Sequence, residues 1–385
     1  MLTSRARALA ITISIALAIA AFQPLTSRAA DDHPRDAWNA QAAATYLDAR
    51  MDMWFTNATK LRTGDGRVAC LSCHTPMPYA LARPALRRLL HESMPTPQES
   101  RLVDETTHRV DTYASHQQTN EQNDDKKRES RGTEAVLNAL VLATAVPHSP
   151  SWPNAIAELW STQRADGAWD WLNFSLEPFE TTDSVYEGAA FAAFALGSSG
   201  DRLERPVDRE HLGRLRGLLS GQFAAQSLYN RTWTLLASSR LSGVLTAPQR
   251  DGVIADLRRA QKADGGWSLS DLGPWRWSQT TPPFSPPDPI NTELAGRSDG
   301  YATGLVVYAL RRTGATPMDE PVRRGLDWLR SNQAAIDVGD AHWRAWRAHS
   351  LNVDREHGGT RGEPWRRLFM SDVATAFAVL ALTAD

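Results

Sequence analysis

The chain has 385 residues, 42% of them hydrophobic, and a formal net charge of −2. That length can bury a large core, in one big or two smaller domains. The near-neutral balance excludes the strongly basic footprint of a nucleic-acid or anionic-membrane binder.

Taken in order, the chain opens with Arg5 and Arg7 before an apolar run, Ala8 to Phe22, and then Ser27-Arg28-Ala29. This pattern predicts an export signal over 1–29, cleaved before Ala30, with an uncleaved single anchor as the alternative. No later segment is long and apolar enough to span a bilayer. Residues 31–37 are polar. Ala37 to Phe55 reads as a helix with Trp38, Ala42, Tyr46, Met53 and Trp54 on its apolar stripe. A loop with Gly64, Asp65 and Gly66 leads to Cys70-Leu71-Ser72-Cys73-His74, then to a helix from Tyr79 to His91, where Pro84 predicts a kink or a late start. Pro97 to Tyr113 reads as a polar helix. Gln117 to Arg131 carries mixed charges and reads as an exposed loop or linker. Residues 30–131 therefore form an N-terminal helical segment.

From Gly132 the pattern becomes regular. Helices are expected over Thr133–Ala145, Asn154–Thr162, Val185–Leu196, Leu212–Phe223, Tyr229–Ser239, Pro248–Gln261, Ala302–Thr313, Pro321–Gln333 and Asp372–Leu382. Trp275 to Pro289 is a Pro- and Trp-rich insertion that either walls a cavity entrance or packs. A unit recurs at helix ends: Gln163-Arg164-Ala165-Asp166-Gly167-Ala168-Trp169 and Gln261-Lys262-Ala263-Asp264-Gly265-Gly266-Trp267. The Asp-Gly turn stops the helix because glycine takes positive φ, and the Trp folds back over the helix end. A degenerate copy is Asn332-Gln333 with Asp340-Ala341-His342-Trp343. Each copy precedes a helix that opens near an Asp: Asp183, Asp299 or Asp372. Of the 14 Trp residues, Trp160, Trp169, Trp171, Trp267, Trp328 and Trp343 lie in or beside these units and read as packing wedges.

Gln-x-x-Asp-Gly-Gly-Trp resembles the repeat of squalene and oxidosqualene cyclases, shared more loosely with protein prenyltransferase β subunits. The resemblance extends through Ser298-Asp299-Gly300-Tyr301, Gly325 to Gln333 and Ser371 to Leu382, and so covers 132–385. It implies an all-α fold, an α/α toroid of paired outer and inner helices around an apolar cavity. Residues 37–92 follow the same plan of helix, Asp-Gly loop, short motif and helix. They read as a diverged first repeat that puts Cys-x-x-Cys-His on the rim. In the cyclases the general acid is the middle Asp of Asp-x-Asp-Asp-Thr. Here the matching run is Glu180-Thr181-Thr182-Asp183-Ser184, with Thr182 at the donor's position, and a Thr cannot protonate an alkene. A prenyltransferase zinc set would need a Cys that the toroid lacks.

Cys70, Cys73 and His74 form the attachment signature of c-type haem, two thiols for two vinyl groups and an imidazole for the iron. A Cys70–Cys73 disulfide and a metal or inert thiols are the alternatives. For the sixth iron position the candidates are Met94, His91, His108 and His116, with His342, His349 and His357 if the rim closes; Met77 is too close in sequence to His74 to reach the opposite face easily. Asp183, Glu180, Asp299 and Asp372 are candidate catalytic residues, and each Asp has a helix-capping alternative. Glu134, Glu187, Tyr186 and Tyr301 are weaker candidates near inner-helix starts. The expectation is an exported, periplasmic or extracellular c-haem protein with covalent haem c. It binds or oxidises an apolar, isoprenoid-like molecule or passes electrons to a redox partner protein. A terpene cyclase or isomerase and a non-enzymatic electron-transfer scaffold are the alternatives. Tyr229-Asn230-Arg231 also carries residue types suited to a sugar-active toroid.

Overall fold

The structure, a computed structural model, describes residues 38–63, 66–116, 123–198, 203–275, 296–338, 340–348, 350–351 and 368–384. The expected export signal and all but the first residue of the Trp- and Pro-rich insertion lie outside them. Residues from Asp36 onward form one compact unit.

Twelve α-helices are present among the described residues: α1 (Ala40–Asn57), α2 (Pro76–Leu89), α3 (Pro97–Thr112), α4 (Asp124–Ala145), α5 (Trp152–Thr162), α6 (Ser184–Leu196), α7 (Pro206–Gln222), α8 (Leu228–Ser238), α9 (Ala247–Ala260), α10 (Gly300–Arg312), α11 (Glu320–Ser331) and α12 (Phe369–Thr383). The even-numbered helices pack in sequence, α2 on α4 through to α12, and α12 packs back on α2. The odd-numbered helices cover them outside. The fold is an α/α toroid, and α1–α2 supply its first pair. Composition sorts the layers. The inner α6 and α12 are Ala- and Phe-rich and buried on every face. The outer α11 buries only Val322, Gly325, Leu326 and Leu329, a single stripe. No helix among the described residues is long and apolar enough to cross a membrane.

The repeat unit is a joint. Trp169 Nε1 donates to Leu159 O and Trp267 Nε1 to Leu257 O, both at 2.8 Å, so each indole closes off the end of its own outer helix. Gln163 Nε2 reaches His211 O on α7 at 3.2 Å, and Gln261 Nε2 reaches Pro321 O on α11 at 2.8 Å. Each Gln thereby ties its joint to the next outer helix. Gly167 and Gly265 have φ of +94° and +95° and face the Arg214 and Arg324 carbonyls, where a Cβ has no room.

The third copy corrects the expected register. Trp346, not Trp343, is the wedge: it is fully buried and donates to Leu329 O at 2.8 Å. Between the joint and its Trp the chain inserts a hairpin, β3 (Ala334–Val338) against β4 (Ala341–Ala345). This carries Trp343 outward to lie edge-on against Tyr46 at 5.7 Å. The same Gln device then closes the ring. Gln333 Oε1 accepts from Asn39 N at 2.7 Å and its Nε2 donates to Asn39 O at 3.0 Å, across 294 residues.

Two further expectations change. Residues 124–131 are the first turns of α4, where a loop was expected. Asn123 caps the helix by accepting from Lys126 N, and the mixed charges pair at i,i+3, Asp124 with Lys127 and Asp125 with Arg128. Residues 117–122 lie outside the described residues. The helix α2 starts early, at Pro76, because a proline at the first helical position gives up no needed N–H, and it runs through Pro84.

Between α4 and α5 lies a buried acid. Neither oxygen of Glu158 has a hydrogen-bond partner among the described residues. Burial, with Glu134 nearby, pushes its carboxyl up to about 9. Its share of stability is therefore full below the ordinary glutamate range and is lost as pH rises toward that value. Glu158→Gln should be more stable than the parent at pH 8, by about 1.4 kcal/mol for each pH unit above the ordinary range. The gap should close near about pH 4.5. Urea denaturation across pH reads this, and parallel profiles would refute it.

The joint makes its own prediction. Gly265→Ala puts a Cβ at positive φ and 2.8 Å from Arg324 O, and should cost at least about 2 kcal/mol. Gly252→Ala, inside α9 with nothing within 4 Å of the new methyl, should stabilise by about 0.5–1 kcal/mol. Equal effects of the two in chemical denaturation would show that the joint tolerates a side chain.

Candidate functional site

In the first pair the joint is built differently. Two short strands, β1 (Lys60–Arg62) and β2 (Arg67–Ala69), pair antiparallel after α1. The chain then runs extended through Cys70 and turns at Cys73–Thr75 into α2. Three contacts pin this stretch. Trp54 Nε1 donates to Cys70 O at 2.8 Å, Cys70 N donates to Thr59 O at 2.9 Å, and the buried Arg109 guanidinium donates to Ala69 O. Cys70 is half-buried and Cys73 buried, and both are free thiols. Burial pushes the Cys70 thiol up to about 11, against the pull of Arg109 and Lys60. Burial lifts Cys73 well above the ordinary range, and Glu187 and Glu180 add to it.

His74 stacks on Phe369 of α12 at 3.9 Å and 23°, with Trp54 edge-on at 5.4 Å. Its Nδ1 lies 3.0 Å from Thr75 Oγ1. The Thr75 hydroxyl donates to Asp372 Oδ2 at 2.7 Å. Asp372 also accepts from Tyr46 OH at 2.7 Å and from Arg50 Nε at 2.6 Å and Nη2 at 3.0 Å. Burial opposes the Arg50 charge, but Asp372 and Tyr46 outweigh it and hold the guanidinium above its ordinary pKa. A hydroxyl has one proton. Because Thr75 gives its proton to a carboxylate, its oxygen can only accept from His74. The imidazole therefore carries a proton on Nδ1.

Facing the motif is the loop before α6. Phe179 lies 6.3 Å from the His74 ring, and Glu180, half-buried, is in electrostatic reach of both thiols. Deeper in the ring, Tyr229 OH donates to Glu187 Oε1 and lies 2.7 Å from Tyr301 OH. Glu187 Oε2 has no hydrogen-bond partner among the described residues, and burial raises this carboxyl well above its ordinary value. Phe179, Tyr301, Phe377 and Trp233 continue inward as a chain of ring contacts at 5.9, 5.3 and 5.2 Å.

The expected Asp set is not one site. Asp299 caps α10, accepting from Tyr301 N, Ala302 N and Leu269 N. Burial still pushes it up to about 7. Asp372 sits in the first turn of α12 but clamps Arg50 instead of capping. Asp183 holds the N-cap position of α6 without a side-chain cap bond. It lines a rim groove of about 420 Å³ with Glu177, Thr182, Gln226, Asn230 and Trp275. Thr182 is exposed there and accepts from Asn173 Nδ2 at 3.2 Å. Tyr186 OH donates to Leu219 O at 2.6 Å, Glu134 pairs with His116 at 2.9 Å, and Arg231 pairs with Asp256 at 2.6 Å.

Of the sixth-ligand candidates, His91 and Met94 are exposed; Met77, set aside from the sequence, is buried in the first turn of α2. His108 lies against Thr63 Oγ1 at 2.9 Å, and His342 pairs with Asp337 at 2.7 Å. His349 and His357 lie outside the described residues. Thr75, Arg50 and Tyr46 were not singled out from the sequence as site residues. The one signal was Arg50, a charge four residues from both Tyr46 and Trp54 on an otherwise apolar stripe.

No family model matches the chain, and no curated protein matches it. Among solved structures the chain is similar to an unsaturated glucuronyl hydrolase with the saccharide dGlcA-Glc-Rha-Glc. Identity is 14%, with 89% of this chain and 95% of that chain covered and a TM-score of 0.49.

Proposed function

We propose that the chain is an exported c-type haem protein, with haem held by Cys70, Cys73 and His74 in the mouth of a squalene-cyclase-like toroid. The observation that carries this is the fixed imidazole. The bond to Thr75 commits Nδ1 to a proton, which makes Nε2 the nitrogen an iron would take, and the Phe369 stack holds the ring plane. The donor set also fits. Both thiols share Glu180 as an electrostatic neighbour, and burial keeps them as S–H, the form that adds across a vinyl group. When bound, the haem would supply one-electron redox chemistry.

The chain's own residues do the rest. Cys70 and Cys73 would anchor the haem and His74 would ligate its iron, while Phe179, Phe369 and Trp54 pack around the imidazole. The reactant proposed is an apolar small molecule, as the squalene-cyclase resemblance implies. Terpene cyclase chemistry has less support, because the donor position is the exposed Thr182.

The test is expression in a host that exports the chain and matures c-type haem. Intact mass should exceed the bare processed chain by one haem, and a peroxidase-activity stain should persist on a denaturing gel. Cys70→Ala with Cys73→Ala should abolish both signals, while His74→Ala should keep the attachment and change the axial ligation. An intact mass equal to the bare chain overturns the proposal.

A further inference from the structure

We infer that Thr75 is a positioning residue that couples the axial histidine to closure of the ring. This rests on the haem reading for its redox consequence, but its geometric core stands on the haem-free chain. Thr75 precedes α2 of the first pair, and the carboxylate it engages, Asp372, belongs to α12 of the last pair, 297 residues away. The same carboxylate is held by Tyr46 and Arg50 of α1. Only a closed ring brings Asp372 to Thr75, so only a closed ring uses up the hydroxyl proton and forces His74 to protonate at Nδ1.

A competing partner makes the device sensitive. Ser72 Oγ lies 3.4 Å from His74 Nδ1, against 3.0 Å for Thr75. Ser72 Oγ accepts from Thr75 N at 3.3 Å and keeps its proton and a second lone pair, so it can donate to Nδ1 as well as accept from it. Without the Thr75 oxygen, the one partner that can only accept from Nδ1 is gone and the ring proton is free to move to Nε2, the wrong nitrogen for iron. In the closed ring the acceptor on Nδ1–H, polarised from behind by Asp372, makes the imidazole a stronger donor. That favours ferric over ferrous iron.

Thr75→Val keeps the shape and removes the oxygen, while Thr75→Ser keeps the oxygen. In the haem-free Cys70→Ala, Cys73→Ala background, nitrogen-15 spectra of labelled histidine should show His74 protonated at Nδ1. Adding Thr75→Val should shift the tautomer ratio toward Nε2–H by about fivefold or more, the worth of one neutral hydrogen bond. Thr75→Ser should restore it. In the haem-loaded protein, Thr75→Val should retain covalent haem by mass, weaken the iron–histidine stretch and raise the midpoint potential, with Thr75→Ser close to the parent. An unchanged tautomer ratio in Thr75→Val, or Thr75→Ser behaving like Thr75→Val, overturns the inference. If the parent carries no haem, the haem reading falls while the nitrogen-15 arm still decides the role of Thr75.

Discussion

The ring is fastened by one buried carboxylate. Asp372 receives hydrogen bonds from Tyr46, Arg50 and Thr75, so the first turn of the last inner helix is bolted to the first outer helix and to the entrance of the first inner one. A buried ion pair need not stabilise more than well-packed hydrophobic residues would, because desolvation offsets the Coulombic gain. Its asymmetry gives it weight: removing one partner strands a buried charge at a cost of about 3–5 kcal/mol. Alternative registers between the ends of the ring would pay that penalty, so the pair selects one closure. Gln333 repeats the selection with neutral groups on Asn39.

The other joints are not closed by a buried ion pair. At α5–α6 and α9–α10 an indole covers the helix end, a glutamine binds the next outer helix, and a glycine lets the backbones approach. Neighbours in sequence are already neighbours in space there, so loop-closure entropy is small and modest contacts suffice. The seam joins the chain's two ends, and it is where the ion pair and both hairpins are found.

This difference explains what the sequence made legible. Helix positions could be read because each inner or outer face repeats locally at the helical period. The nearness of Cys70, Cys73 and His74 could be read because they lie within five positions of one another. The clamp on Thr75 could not, since Asp372 is 297 residues from Thr75 and 322 from Arg50, and nothing local distinguishes a clamping Asp from a capping one. Asp299 and Asp372 open inner helices alike in sequence, yet one binds backbone amides and the other a guanidinium. The degenerate repeat misled for a related reason: Trp343 stood nearest the expected spacing, but a hairpin had moved the wedge to Trp346. The start of α4 was hidden because a run of mixed charges reads as a solvated loop until its i,i+3 pairs and Asn123 cap are seen together.

The thiols discriminate among the readings of the motif. A redox dithiol works through its thiolate and sits where positive charge or a helix N-terminus depresses the pKa. At Cys70 and Cys73 burial is the leading cause and raises both, Glu180 adds to it, and at Cys70 Arg109 and Lys60 offset part of the rise. Exchange chemistry is therefore suppressed at neutral pH. Thiolate ligation of a metal meets the same barrier, and among the described residues no further Cys, His or carboxylate group gathers as a metal site. Thioether formation is a net addition of S–H across a vinyl group, so the proton the buried thiol carries ends up in the product. Neither a dithiol nor an inert pair has any use for the imidazole that Thr75 and Phe369 hold in one tautomer and one plane. Haem attachment calls on both thiols and on that imidazole, so it accounts for the oriented His74 as well as the suppressed thiolates.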